Sequence, residues 1–196
     1  LGDGKMSGQT PNIFVPDKTD YMPEKKLFLA RAGIRYTEAI NDENIMKDVN
    51  EIYLLGLECA KPKLFWRTFQ RVELPDYSIP SQFAKYNRFL IFISTLGKEI
   101  DQKIEELSKF SVYLSFLLDS WASESLEKLN DTFEEKFKKE NGKALSMRFS
   151  PGYGDLDIRT NKKYVELLNL DSEITVLDSG IMIPRKTTTC IAGIVE

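Results

Sequence analysis

The sequence predicts an α+β fold, a single domain with a mainly antiparallel sheet, and three observations carry that expectation. Helix-like and strand-like segments are mixed along the chain without the regular alternation that builds a parallel sheet. Three segments, residues 63–74, 88–94 and 187–195, have the alternation or the dense apolar and β-branched content of strands. Two longer segments, residues 42–61 and 111–140, space their apolar residues as one face of a helix does. At 196 residues and 42% hydrophobic composition, the chain can bury one proper core and is short for two domains.

Residues 1–23 are rich in Gly, Pro, Asp and Thr, with a short apolar patch at Ile13 to Val15. They are expected to form an N-terminal arm, in part disordered, ahead of a domain over residues 24–196. Leu27, Phe28, Leu29 and Ala30 bring the first apolar density, and Gly33 suits a helix stop. Asn41 or Asp42 can cap the next helix, whose face carries Ile45, Val49, Ile52 and Gly56 and which should end before Pro62. Phe65, Arg67 and Phe69 then alternate with Leu64, Trp66 and Thr68, the period of a strand.

After a loop at residues 75–80, RFLIFIS at 88–94 reads as a buried strand. A helix with Ile100, Ile104 and Leu107 on one face follows. The longest helix starts at Ser111, carries Trp121, Leu126, Leu129, Phe133 and Phe137, and closes at Asn141-Gly142. Beyond it, Asn161 is expected to cap a short helix with Tyr164, Leu167 and Leu168 inward, and three strands are expected at residues 173–177, 180–183 and 187–195.

Composition narrows function. The formal net charge is −3, so no basic field exists to attract nucleic acid or an anionic membrane. No apolar run approaches the roughly 20 residues of a bilayer crossing, and no signal-peptide layout opens the chain, so a cytoplasmic protein is expected. Cys59 and Cys190 are 131 positions apart and form no CxxC pair; both are expected to be reduced, small buried hydrophobes. The sequence has no histidine, which removes Ser-His-Asp and Cys-His chemistry and histidine-based metal sites.

The segment that points to a ligand is Arg148-Phe149-Ser150-Pro151-Gly152-Tyr153-Gly154-Asp155. Arg148 can hold a carboxylate with two parallel hydrogen bonds, Pro151-Gly152 bends the backbone, and Tyr153 offers an aromatic face and a phenol. Such a loop suits a small zwitterion carrying an aromatic base. Taken alone, the same residues are far more often an ordinary turn beside a solvated arginine.

RFSPGYGD resembles the RxxxGY signature of the activation domain of cobalamin-dependent methionine synthase, and resembles the stand-alone activation proteins more closely still. A second segment, Leu177-Asp178-Ser179-Gly180-Ile181-Met182-Ile183-Pro184 followed by Lys186-Thr187-Thr188, is similar to the family's Met-x-Pro stretch; by itself it reads as a hairpin and edge strand. A third match is the Thr95-Leu96-Gly97 turn with Asp119 and Glu127 on the long helix, which on their own fit a solvated helix face.

The resemblance implies a twisted antiparallel sheet flanked by helices and S-adenosylmethionine as ligand, held by Arg148, Ser150, Pro151, Gly152, Tyr153 and Met182, with Glu127 and Asp119 toward its amino group. It implies no catalytic residue and no metal ligand in this chain. Cobalamin is expected on a partner, a cobalamin-binding methionine synthase chain, with flavodoxin or a reductase as electron donor. The reaction so implied is reductive methylation of cob(II)alamin; the alternative is a non-catalytic docking module for a corrinoid protein. The family's acidic Asp-Trp-Thr-Pro-Phe entry segment has no counterpart here, and the sequence stops at Glu196 ahead of the family's tyrosine-bearing strand. Weaker ligand affinity, or help from a partner surface, is the expectation that follows.

Overall fold

The computed structural model of the chain describes residues 10–195. In chain order the elements are β1 (Asn12–Phe14), α1 (Lys18–Tyr21), α2 (Lys25–Arg31), α3 (Tyr36–Ala39), α4 (Glu43–Cys59), β2 (Lys63–Gln70), β3 (Arg88–Thr95), α5 (Lys98–Ser108), α6 (Val112–Asn141), β4 (Ala144–Leu145), α7 (Thr160–Leu167), β5 (Thr175–Val176), β6 (Met182–Ile183) and β7 (Thr187–Val195). β1, β2, β3, β7 and β4 make a five-stranded sheet in that order, antiparallel at every pairing. β5 and β6 form a separate two-stranded hairpin. The fold is therefore α+β with a mainly antiparallel sheet flanked by helices, as the mixed strand and helix pattern predicts.

The alternation along the central strands divides the interior. Ile91 of β3 lies opposite Arg67 and Ile191, and with Phe89 and Ile93 it enters a core shared with Phe65, Phe69 and the residues of α7. The intervening Leu90 and Phe92 face the other way, into a core made with α2, α4 and α6. β3 is covered on both faces, which is why its sequence is a continuous apolar run.

α6 is the spine of the second core. Ser111 Oγ accepts from the Leu114 N–H at 3.2 Å and Gly142 closes the helix in the left-handed conformation at φ 60°, the two ends the sequence marks. α4 crosses it at Gly56, where a Cβ would stand 2.5 Å from the Trp121 ring. Asp42 caps α4 by accepting from the N–H groups of Asn44 and Ile45 at 3.0 and 3.1 Å.

Two expectations read differently in three dimensions. Within the N-terminal segment expected as an arm, Leu1 to Gln9 lie outside the described residues, whereas Asn12–Phe14 pair with β2 and Phe14 packs on Phe133 with ring centroids 6.0 Å apart. Lys136 of α6 sits 4.7 Å above the Phe14 ring and bonds Asp20 at 2.9 Å, and Ser125 donates to the Tyr21 carbonyl at 2.8 Å. Asn161 lies inside α7, after an N-cap at Arg159; its side chain donates to the Gly180 carbonyl at 2.9 Å and accepts from Thr189. It joins α7 to the hairpin and to β7 instead of capping.

Candidate functional site

After β4 the chain continues beside β7 as far as Phe149, which exchanges two 2.8 Å hydrogen bonds with Ile191. Ser146 donates to the Gly193 carbonyl at 2.8 Å, so the outer strand advances three residues to Phe149 while β7 advances two. One extra residue is accommodated at Met147 and Arg148. A bulge of this kind re-aims a side chain, and here Met147 is left 82% exposed while Arg148 turns onto α6.

What meets Arg148 there is a row of carboxylates at helical spacing. Nη2 donates to Glu127 at 2.6 Å, and Nη1 donates to Asp131 at 2.6 Å and to Glu134 at 3.3 Å. Positions 127, 131 and 134 fall on one face of a helix. Burial alone would make Arg148 easier to deprotonate, but its bonds to Asp131 and Glu127 outweigh that and hold the guanidinium above its usual value. Burial lifts Glu134 above the ordinary carboxylate range, and Arg148 offsets this in part. Among the described residues, three of the five guanidinium N–H groups are claimed, leaving Nε–H and one Nη2–H. Those two nitrogens share one edge of the planar group, the edge a carboxylate can take side-on.

Under this cluster lie groups that local sequence patterns do not mark. Cys190 is fully buried, its thiol pushed up to about 12 by burial, and Ser150 Oγ sits 3.5 Å from its Sγ. Asn130, completely buried between the helical turns of Glu127 and Glu134, accepts from Ser94 at 2.6 Å while its Nδ2 has no acceptor among the described residues. Asp131, Glu134 and Asn130 were not among the expected site residues. The sequence signal for the acids is their spacing with Glu127, and it becomes informative only once Arg148 is known to face that row.

Of the expected site residues, Arg148 and Glu127 are in direct contact and Ser150 is two residues along the same strand segment. Pro151 is buried, Gly152 adopts φ 96° as the turn requires, and its N–H donates to the Leu156 carbonyl at 2.8 Å. Tyr153 is 69% exposed. Asp155 accepts from the Ser81 N–H at 3.0 Å, fixing the far end of the loop. Asp119, about 12 Å along α6 from Glu127, pairs instead with Lys186 at 2.8 Å, which also donates to Ser123 at 2.9 Å. The Leu96 N–H of the Thr95-Leu96-Gly97 turn donates to the Lys186 carbonyl at 2.9 Å, so this turn and Asp119 meet at the entry to β7. Met182 goes elsewhere: it is buried in the core shared with α7, on the sheet face that Cys190 and α6 do not occupy.

Two open clefts flank the other side of the loop. One of about 500 Å³ is lined by Tyr77, Asp157, Arg159 and Lys162 among others, and one of about 600 Å³ by Gly152, Gly154 and Ile158. Arg148 lines neither. The Arg159 guanidinium holds Asp157 down at about 2, so these two charges are largely spent on each other. Arg148, in contrast, keeps unclaimed N–H groups directly beside the loop among the described residues.

The five-stranded antiparallel sheet with helices on both faces is an architecture found among solved structures. The chain is similar to one described as the crystal structure of the MetH reactivation domain bound to AdoHcy, with a TM-score of 0.67 over 94% of this chain and 78% of that chain. Sequence identity is 15%, so the likeness is one of fold. No protein-family model and no curated protein matches the sequence. Among the described residues, no helix is long and apolar enough to cross a membrane.

Proposed function

We propose that this chain is an S-adenosylmethionine-binding activation module that supports reductive methylation of cob(II)alamin to methylcobalamin on a methionine synthase chain. The observation that carries the reading is the unclaimed Nε–H and second Nη2–H of Arg148, beside the RFSPGYGD turn, in a fold shared with a MetH reactivation domain whose description names bound AdoHcy. The residues fit an α-amino-acid ligand. Arg148 takes the carboxylate side-on, and Glu127, with one oxygen on Nη2 and the other free, stands next to the edge where the adjoining ammonium falls. Tyr153 is exposed and free to lie against the adenine.

Cobalamin, which we assign to the partner chain, would supply the nucleophile for the sulfonium methyl, with the electron coming from flavodoxin or a reductase and S-adenosylhomocysteine leaving as the neutral thioether. This chain's residues bind and orient, which lowers a barrier by holding reacting atoms in line without a general base. A specific observation favours a second reading, a non-catalytic docking module for a corrinoid protein: the Arg148 guanidinium already satisfies three carboxylates internally, as a structural arginine would. The test is to mix this chain with a cob(II)alamin-loaded methionine synthase chain that lacks its own activation region, an electron donor and S-adenosylmethionine, and to follow the cobalt spectrum. Methylcobalamin forming only when this chain is present supports activation; complex formation without methylation, and without S-adenosylmethionine uptake, supports docking alone.

A further inference from the structure

We propose that Asp131 is a positioning residue for ligand capture, acting through Arg148 by fixing which edge of the guanidinium is offered. This rests on the functional reading above. The guanidinium can turn about its last side-chain torsion, and a side-on clamp needs the Nε and Nη2 edge to face the ligand. Nη1 lies at the other end of the planar group, and it is there that Asp131 and Glu134 bind, at 2.6 and 3.3 Å. Without Asp131, Nη1 would keep only the longer 3.3 Å contact to Glu134; Asp131, one helical turn beyond Glu127, gives the plane two short anchors at separate nitrogens. Glu134 is buried and its contact is the longer one, so it backs the group from below. Asp131 is the anchor at the surface, with 60% of its side chain exposed against 21% for Arg148.

The arrangement separates three roles that acidic residues beside an arginine can take. A competitor would occupy the edge the ligand needs, and its removal would strengthen binding. A plain structural pair would support the fold and affect every ligand alike. A positioning residue affects only the part of the affinity that flows through the carboxylate, and only while position 148 carries a planar group to orient. Lysine is a point charge with rotatable donors and has no plane to set.

The experiment is titration calorimetry of the wild-type chain, Asp131→Ala, Arg148→Lys and the double variant, each with S-adenosylhomocysteine and with its decarboxylated analogue, beside melts of the ligand-free proteins. Asp131→Ala is expected to weaken S-adenosylhomocysteine binding about fivefold, the upper range for an exposed pair, to leave the decarboxylated analogue unchanged, and to have no effect in the Arg148→Lys background. Asp131→Asn, which keeps an acceptor on Nη1, should recover part of the loss. Tighter binding by Asp131→Ala, unchanged binding, equal weakening of both ligands, or the same loss in the Arg148→Lys background would each overturn the proposal. A wild-type chain that takes up no S-adenosylhomocysteine removes the functional reading itself, and this proposal with it.

Discussion

The planar guanidinium of Arg148 meets three carboxylates, and these acids make its substitutions differ in kind. Arg148→Ala leaves Glu134 buried without its strongest cation, since Lys138 approaches only to 4.0 Å. Loss of one partner from a part-buried pair strands the other, so this variant should melt lower as well as bind less. Glu134 adds a dependence on pH whose sign follows from its raised value. A carboxyl that titrates higher in the folded chain than in the unfolded one favours folding once pH is low enough to protonate it. That contribution is lost as pH rises through the folded value, so charged Glu134 costs stability near neutrality. Glu134→Gln should therefore raise the melting temperature at pH 7, with the gain shrinking toward the ordinary value of 4.5. A gain that grows as pH falls would show that the carboxylate is stabilised in place and not burdened by burial.

At the scale of elements, α6 ties the two halves of the argument together: its apolar face organises the core with α4, and its acidic row holds Arg148. The crossing with α4 depends on Gly56, because Trp121 occupies the space a side chain would fill. Gly56→Ala gains about 1 kcal/mol of helix propensity, against about 1–3 kcal/mol for forcing a methyl into packed space. The contact distance of 2.5 Å to a fully buried indole puts the balance on the destabilising side. Chemical denaturation should show a lower midpoint with an unchanged slope; a stabilised Gly56→Ala protein would mean that the two helices separate freely there. The same helix shows where sequence reading succeeds and where it stops. Ser111, Gly142 and the apolar period mark its ends and its buried face because those signals are local. Acidic residues occur on several sides of it, and nothing local says that positions 127, 131 and 134 look at residue 148 and not at water.

For the whole molecule, the mixed pattern of strands and helices was enough to predict an antiparallel α+β fold, since β2 shows itself by alternation, β3 by a continuous apolar run and β7 by β-branching. Long-range choices were less legible. Asn12–Phe14 look like an arm until β2, some fifty residues later, offers an edge to pair with. Asn161 looks like a cap until Thr189 and the Gly180 carbonyl claim its amide. Met182 sits in a motif similar to a ligand-binding family, yet its side chain joins the core beside α7. The loop around Arg148 was legible as a ligand candidate from residue types, whereas the bulge that aims it and the unclaimed edge of the guanidinium were not, since both depend on register with β7. Whether the Nε and Nη2 side of Arg148 reads the carboxylate of an adenosyl amino acid is decided by calorimetry with S-adenosylhomocysteine on wild-type and Arg148→Lys proteins. Lysine keeps the charge that Glu134 needs and loses the fork, so we expect binding by the wild type, a loss of about tenfold in Arg148→Lys for one charged hydrogen bond, and ligand-free melting temperatures that agree. Equal affinities for the two proteins, or no uptake by a folded wild type, would contradict it.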